Sequence, residues 1–366
     1  MKKLKIYSKY MKRYLLTHIA PKDKILEYKL SSAACNFSYN LMSGRAFDKI
    51  YSILPVYVQG KKEFLENEDV EYIYSSWRWG NRMLRKFAAI RENITIFRKI
   101  ERGSSIWLYN MTMLNVWLVM LLRWFKPSVK VNVIVLDFTP GEKHSNFFLR
   151  QINKCHGRIL LANSPLFNKE NSAILPGVTP LDDNKEYPFV SSVKKEFLLS
   201  GVLNENIAML SMVLPAFSQL KDCTLHITGM IEDDTLIREY SSKYPNIIYH
   251  GRLSFRDYLQ LMGNTPFLLS TRNPAFPENQ CNFPSKIIEA LLHNRIVVST
   301  LHYPQLDGIN YFEVSHHIDD FVKDIESIAS LQENQLLTYA NQSDVVAKRF
   351  STEVWNGTMN RIEEHE

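Results

Sequence analysis

The second half of the chain constrains the fold most, because short apolar runs alternate there with amphipathic stretches from residue 196 onward. Residues 196–200 read as a strand and about 207–220 as a helix. Residues 223–228 read as a strand ending at Gly229, 234–243 as a helix, and 246–250 as a strand ending at Gly251. A helix over 255–262, a strand over 267–270, a helix over 285–292 and a strand over 296–299 complete the series. Parallel strands need a crossover of about a dozen residues, usually a helix, so this rhythm predicts a doubly wound parallel sheet covered on both faces.

The first half carries the same rhythm less regularly. Residues 24–30, 49–58, 70–74, 94–97, 106–108, 129–138 and 158–162 read as strands, and 37–44 as a helical turn region. Between 179 and 192 the sequence becomes polar and proline-containing, as a linker would be. The expected division is residues 1–180, a linker at 181–193, a second α/β domain over 194–343, and a terminal helical segment over 344–366. At 366 residues with 45% hydrophobic content, there is enough apolar material for two cores, and wholesale disorder is excluded.

Four cysteines, Cys35, Cys155, Cys223 and Cys281, lie far apart without a CxxC pair. That spacing argues against a zinc ribbon or a disulfide framework and for a reducing compartment. The basic N-terminus lacks the apolar run of a secretory signal, being interrupted by Lys9, Lys12 and Arg13. The most apolar stretch, 106–122, is broken by Asn110, Thr112 and Asn115, so it reads as a buried or membrane-surface helix and not as a span. The expected location is therefore cytoplasmic or peripheral to a membrane.

Open parallel sheets bind ligands at the carboxyl ends of their strands. In the second half those positions hold Ser200-Gly201, Thr228-Gly229, Gly251-Arg252 and Thr271-Arg272. Each glycine is also explained by a tight turn. The sharpest segment is CNFPSKIIEALLHNRIVVST, residues 281–300. Pro284-Ser285 starts a helix, and Glu289 follows Ser285 by one turn. A carboxylate there can accept both hydroxyls of a ribose while Lys286 and the helix N-terminus take a diphosphate. The alternative is a surface glutamate paired with Lys286 at i,i+3, worth about 0.2–0.5 kcal/mol.

The element order, with SGVLNEN, HGRLSFRDYLQLM, FLLSTR and the 281–300 segment, resembles the donor-binding domain of the group 1 (family 4) retaining glycosyltransferases. The resemblance covers about residues 157–361, where HGRILLANSPLF and the ending RFSTEVWNGTMNRI also match. It implies a GT-B architecture, two Rossmann-like doubly wound parallel-sheet domains facing a central cleft. It implies that Glu289 binds the nucleotide ribose and that Phe283, Pro284 and Ser285 face the diphosphate and donor sugar. Gly201 matches the first phosphate-facing turn, and Gly251 and Arg252 the turn near the base. The chain departs from that pattern in three places. Cys281 stands where a first glutamate belongs, with Glu278 the nearby carboxylate, and Val202 and Asn206 replace a basic pair that clamps the diphosphate. Lys286, Arg272 and Arg252 are the candidates to supply the missing charge.

In the first half, Asp137 ends the best strand and is the candidate for a sugar or acceptor contact, with His144 in the same loop; the alternative is an Asp capping the next turn. Ser31 and Ser32 occupy the place of the family's glycine-rich acceptor-side loop. Asp137 and Glu278 are thus the candidate catalytic carboxylates. No metal or cofactor is expected, because the acid pairs Asp182-Asp183, Asp233-Asp234 and Asp319-Asp320 lack neighbouring His or Cys.

Two basic stretches carry interleaved aromatic and aliphatic residues. One is Lys2, Lys3, Lys5, Lys9, Lys12 and Arg13; the other is Arg78, Arg82, Arg85, Lys86 and Arg91. Both read as cationic amphipathic helices suited to an anionic membrane surface, with a solvated helix on the core as the alternative. Nucleic acid is not an expected partner, since no recognition motif accompanies them. The expected activity is metal-independent sugar transfer, with retention, from a nucleotide-diphosphate donor to a saccharide or lipid-linked acceptor, in bacterial surface polysaccharide synthesis. The rival is a non-catalytic protein of the same fold that binds saccharide or a partner at the membrane; a nucleotide-sugar epimerase is a third reading.

Overall fold

The computed structural model describes residues 11–25, 27–28, 30–55, 57–58, 61–62, 65, 69–75, 82–180, 188–189 and 195–365. The chain divides into two units. One comprises Met1–Leu181 with Thr352–Glu366, and the other Asp182–Ser351. The expected linker lies outside the described residues apart from Pro188 and Phe189, as do Lys2, Lys3, Lys5, Lys9 and Arg78.

The first unit is built on a seven-stranded sheet. Its strands are β1 (Arg13–Thr17), β2 (Lys49–Pro55), β5 (Val70–Ser75), β6 (Ser105–Tyr109), β7 (Lys130–Val135), β8 (Gly157–Leu160) and β9 (Ser172–Ile174). A two-residue antiparallel pair, β3 (Tyr57–Val58) and β4 (Lys61–Lys62), lies between β2 and β5 in sequence. The sheet order is β5-β2-β1-β6-β7-β8-β9, and every pairing is parallel. Helices α1 (Ser32–Ser43), α2 (Arg82–Lys99), α3 (Val116–Phe125) and α4 (Ser145–Asn153) make the crossovers.

Three expectations fail here. Of the first basic stretch, Lys12 and Arg13 are described and are not helical: Arg13 opens β1, where a carboxylate far along the chain neutralises it and lets it sit inside a sheet. The described residues of 24–30 form turns instead of a strand: after the short helical turn Lys22–Lys24, Tyr28 N–H donates to Lys24 O at 3.0 Å and Leu30 N–H to Ile25 O at 3.0 Å. Residues 94–97 belong to α2. Asn93 within that helix donates to Leu114 O and accepts from Leu118 N–H, so packing on α3 overrides the β-branched local preference. The apolar stretch 106–122 resolves into β6 and α3. Between them Asn115 donates to Asn110 O and accepts from Thr112 N–H. No helix among the described residues is long and apolar enough to cross a membrane.

The last helix, α13 (Thr352–Glu364), completes the first unit. Trp355 is fully buried, meets Phe37 edge to face at 5.4 Å and donates its indole N–H to Gly177 O at 2.8 Å. Glu363, also buried, pairs with the Arg13 guanidinium and accepts from Ser105 Oγ at 2.6 Å and Trp107 Nε1 at 2.7 Å. The two buried charges therefore have a full set of partners, which buried ion pairs require.

The second unit repeats the plan with six strands: β10 (Glu196–Val202), β11 (Thr224–Met230), β12 (Ile247–Tyr249), β13 (Phe267–Ser270), β14 (Ile296–Ser299) and β15 (Phe312–Glu313). Their order is β12-β11-β10-β13-β14-β15, again wholly parallel. Helices α5 (Glu205–Ala208), α6 (Leu210–Gln219), α7 (Thr235–Lys243), α8 (Phe255–Asn264) and α9 (Ser285–Leu292) connect the strands. Helices α10 (Ile318–Ala329), α11 (Glu333–Ala340) and α12 (Ser343–Arg349) follow. One sheet face packs Phe197, Leu199, Leu225, Ile227, Phe267 and Leu269 against α6, α10 and α11. In both units the strand order steps outward from β1 or β10 in opposite directions. The switch point of a Rossmann fold therefore falls at the carboxyl end of that first strand.

Candidate functional site

At the switch point of the second unit, Ser200 and Gly201 near the end of β10 stand level with Thr228 and Gly229 of β11. The two glycines have φ of +119° and +155°, a region that L side chains rarely adopt. A Cβ on Gly229 would stand 1.9 Å from Gly201 O, and one on Gly201 would stand 2.6 Å from Lys286 Nζ. Backbone contact imposes glycine at 229, and the positive φ favours it at 201, where the tip of Lys286 packs against the bare Cα.

Lys286 reaches this edge from the first turn of α9, donating from Nζ to Ser200 Oγ at 3.1 Å. Its ammonium lies 5.4 Å from the centre of the Tyr258 ring. Tyr258, on α8, donates its hydroxyl to Glu289 Oε2 at 3.0 Å. Lys286, Tyr258 and Glu289 are each half-buried. Burial pulls the Lys286 ammonium down to about 8, against the attraction of Glu289. Burial pushes the Glu289 carboxyl up, opposed by the Tyr258 hydrogen bond and by Lys286. Burial, followed by the Glu289 charge, raises the Tyr258 hydroxyl well above its ordinary value. The sequence thus assigned Lys286, Glu289 and Gly201 to one place, and the structure brings them together. Glu289 does pair locally, but with Tyr258 and not with Lys286 as a surface i,i+3 bridge.

A second network surrounds the end of β13. Arg272 donates to Asn279 Oδ1 at 3.0 Å, and Asn279 donates to Asn206 O at 2.9 Å and Asn273 O at 2.8 Å. Asn206 donates its amide to Glu278 Oε1 at 3.1 Å. Glu278 and Arg272 are therefore joined through neutral amides, while Cys281 is buried and its N–H donates to Glu278 O at 3.0 Å. Phe283 is buried edge to face with Tyr303 at 5.1 Å, so its ring is a core group and only its backbone can face a ligand. Pro284 precedes α9 without a side-chain cap, and Ser285 is exposed at its first position. Gly251, with φ +64°, has nothing within 4 Å of its Cβ position; its carbonyl accepts from Thr228 Oγ1 at 2.8 Å and Gly229 N–H at 3.1 Å. Arg252 beside it is exposed.

The first-unit candidates are spread along the carboxyl edge of their own sheet. Asp137 is exposed two residues beyond β7, with its N–H 3.4 Å from Asn110 Oδ1. Its carboxylate, after burial, helps push the Tyr109 hydroxyl up. His144 is exposed at the start of α4 with φ +73° and meets Phe148 edge-on at 6.5 Å. Ser31 caps α1, accepting from Ala34 N–H at 3.3 Å, and Ser32 opens that helix. Among the described residues no three His, Cys, Asp or Glu side chains converge as metal ligands would.

Sequence reasoning missed Tyr258, Asn279 and His18. Tyr258 could have been found from its inward-facing spacing with Met262, one turn on, which its hydroxyl approaches at 3.6 Å. Asn279 carries no local signal, since its partner Asn206 lies 73 residues away. His18, just past β1, places Nδ1 3.4 Å from Ile53 O while burial pulls its imidazole down.

No protein-family profile and no curated protein matches the sequence. Solved structures do. The N-terminal domain of Candida albicans trehalose-6-phosphate phosphatase is similar with a TM-score of 0.67 at 11% identity, covering 95% of each chain. The alpha,alpha-trehalose-phosphate synthase (UDP-forming) of Burkholderia xenovorans, in complex with glucose-6-phosphate, is similar with a TM-score of 0.66 at 10% identity, covering 97% of this chain and 100% of that one. Anabaena HepE in complex with UDP and glucose is similar with a TM-score of 0.57 at 14% identity, covering 96% and 98%. The fold is that of the GT-B glycosyltransferases. At such identities the likeness fixes the fold, and function has to be argued from the site.

Proposed function

We propose that the chain is a glycosyltransferase that takes its sugar from a nucleoside diphosphate donor bound at the carboxyl edge of the second unit's sheet. The observation that carries this reading is the half-buried Lys286 and Glu289, set one helical turn apart beside two glycines that keep side chains off the edge. In this reading Glu289 accepts ribose hydroxyls, and the backbone of Gly201 and of Phe283, Pro284 and Ser285 faces the diphosphate and sugar. Gly251 and Arg252 lie toward the base. Arg272, held by Asn279, adds positive charge to the same edge. UDP in the Anabaena neighbour favours a nucleoside diphosphate as the donor's leaving group.

The transfer breaks the bond from the sugar C1 to the diphosphate oxygen and forms one from C1 to an acceptor oxygen. The acceptor proton passes to the departing diphosphate, whose charge is stabilised by fixed donors in a site that excludes water. The remaining assignments rest on the sequence resemblance. These are retention, metal independence, a saccharide or lipid-linked acceptor near Asp137, His144, Ser31 and Ser32, and bacterial surface polysaccharide synthesis at the cytoplasmic side of a membrane.

One observation favours a non-catalytic binding protein instead: Cys281 is buried, and Asn206 at a clamp position is neutral and engaged with Glu278. A thermal-shift panel of UDP, GDP, ADP and CMP with their common sugar conjugates separates the two. A nucleotide at 100 times its Kd stabilises by about 2.7 kcal/mol, and turnover of the responding sugar conjugate supports transfer. A silent panel rejects the proposal.

A further inference from the structure

Several local preferences work against Lys286 where it stands, offset only in part by the Tyr258 ring and the attraction of Glu289. A cation in the first turn of a helix opposes the helix dipole. Its hydrogen-bond partner is the neutral hydroxyl of Ser200, and Glu289 directs one carboxylate oxygen to Tyr258. Burial works against its charge, and its ammonium packs against the open face of Gly201, 2.6 Å from where a Cβ would stand. A chain that breaks several local preferences at one residue, at the ligand-binding edge of its sheet, is holding that residue for a ligand.

The geometry also sorts the ligand. Glu289, one turn further along α9, suits neutral hydroxyls and repels phosphate, so the anionic part of the ligand belongs at the Lys286 and Gly201 end. Resting on the nucleoside diphosphate reading above, we infer that Lys286 is the specificity-determining cation that selects a diphosphate over a monophosphate, in place of the basic pair absent at Val202 and Asn206. The groups facing its ammonium are Ser200 from β10, Tyr258 from α8 and Glu289 from α9 itself. In the empty protein the ammonium loses its proton as pH rises through about 8. Diphosphate affinity is therefore full below that pH and falls above it, with a proton taken up on binding.

The test is calorimetric titration of the full chain with UDP, GDP and ADP, each beside its monophosphate, at pH 7 and pH 9.5. Wild type, Lys286→Met and Glu289→Ala are compared. Wild type is expected to prefer the responding diphosphate at pH 7 and to lose about tenfold in affinity at pH 9.5. Lys286→Met is expected to weaken diphosphate binding by about 10–100-fold, as loss of a charge-assisted hydrogen bond does, to level the preference over the monophosphate and to remove the pH dependence. Glu289→Ala should weaken both nucleotides alike and keep the preference. Diphosphate affinity within twofold of wild type in a folded Lys286→Met variant overturns this assignment while leaving the donor site intact. Failure of every nucleotide to bind wild type overturns the donor site and this assignment together.

Discussion

At the carboxyl edge of its sheet the first unit's charged candidate Asp137 is exposed, and the side chains packed beneath it are neutral groups that satisfy one another. Thr17 Oγ1 meets Ser38 Oγ at 3.0 Å, Ser52 Oγ bonds both N–H and C=O of Ile19, and Asn110 Oδ1 accepts from Leu136 N–H at 2.7 Å. Its buried ion pair sits at the opposite edge, where Arg13 opens β1, Ser105 opens β6, and Glu363 ties α13 down. The second unit, with the same strand order, reverses this. Its half-buried charges, Lys286 and Glu289, gather at the carboxyl edge against a hydroxyl and a phenol. One unit uses charge to complete a core, and the other holds it at the edge where parallel sheets of this kind bind ligands.

The largest effect is expected at Glu363. Glu363→Ala leaves Arg13, Ser105 and Trp107 buried without their acceptor, and it is expected to cost about 3–5 kcal/mol. Chemical denaturation of the variant checks this; a loss below about 1 kcal/mol would make the pair dispensable. Next in size is Gly229→Ala. Its methyl would strike the Gly201 carbonyl, at an expected cost of about 2–4 kcal/mol. Gly251→Ala meets nothing and bears only the left-handed backbone cost of about 1–2 kcal/mol. Equal midpoints for the two variants would mean that the close approach of β10 and β11 does not govern this edge.

The smallest effect has the opposite sign. Lys286→Met removes a half-buried ammonium without a formal counter-charge hydrogen-bonded to it, so the empty protein should gain about 1–2 kcal/mol at pH 7. The folded ammonium titrates near 8 and an unperturbed lysine near 10.5, so the unfolded chain binds more protons between those values. Stability of the wild type therefore rises as pH goes from about 8 to 10.5, and the advantage of the variant shrinks over that window. Thermal midpoints at pH 7 and pH 10 measure it. A variant less stable than wild type at pH 7 would place Lys286 among the structural charges, like Arg13.

The second unit was legible because its strands and helices are locally consistent. The expected strand over 196–200, the helix over 255–262 and the helix over 285–292 fall within β10, α8 and α9. The doubly wound α/β class follows from that rhythm, and the neighbours share it. The first unit resisted where long-range partners override local pattern. Arg13 enters a strand because it pairs with Glu363, 350 residues away, and 94–97 joins a helix because Asn93 binds α3. At the site the same rule holds. Lys286 and Glu289 are visible in one eight-residue helix, whereas Tyr258 lies 31 residues from Glu289, and Asn206 lies 72 from Glu278.

The most direct measurement is calorimetric titration of the responding nucleoside diphosphate into wild type and Glu289→Ala, with midpoints recorded to confirm folding. The account predicts at least about a tenfold loss of affinity in a variant whose midpoint stays close to wild type, since the side chain removed would accept ribose hydroxyls. Unchanged affinity in the folded variant would contradict the placement of the donor at the carboxyl edge of the second unit.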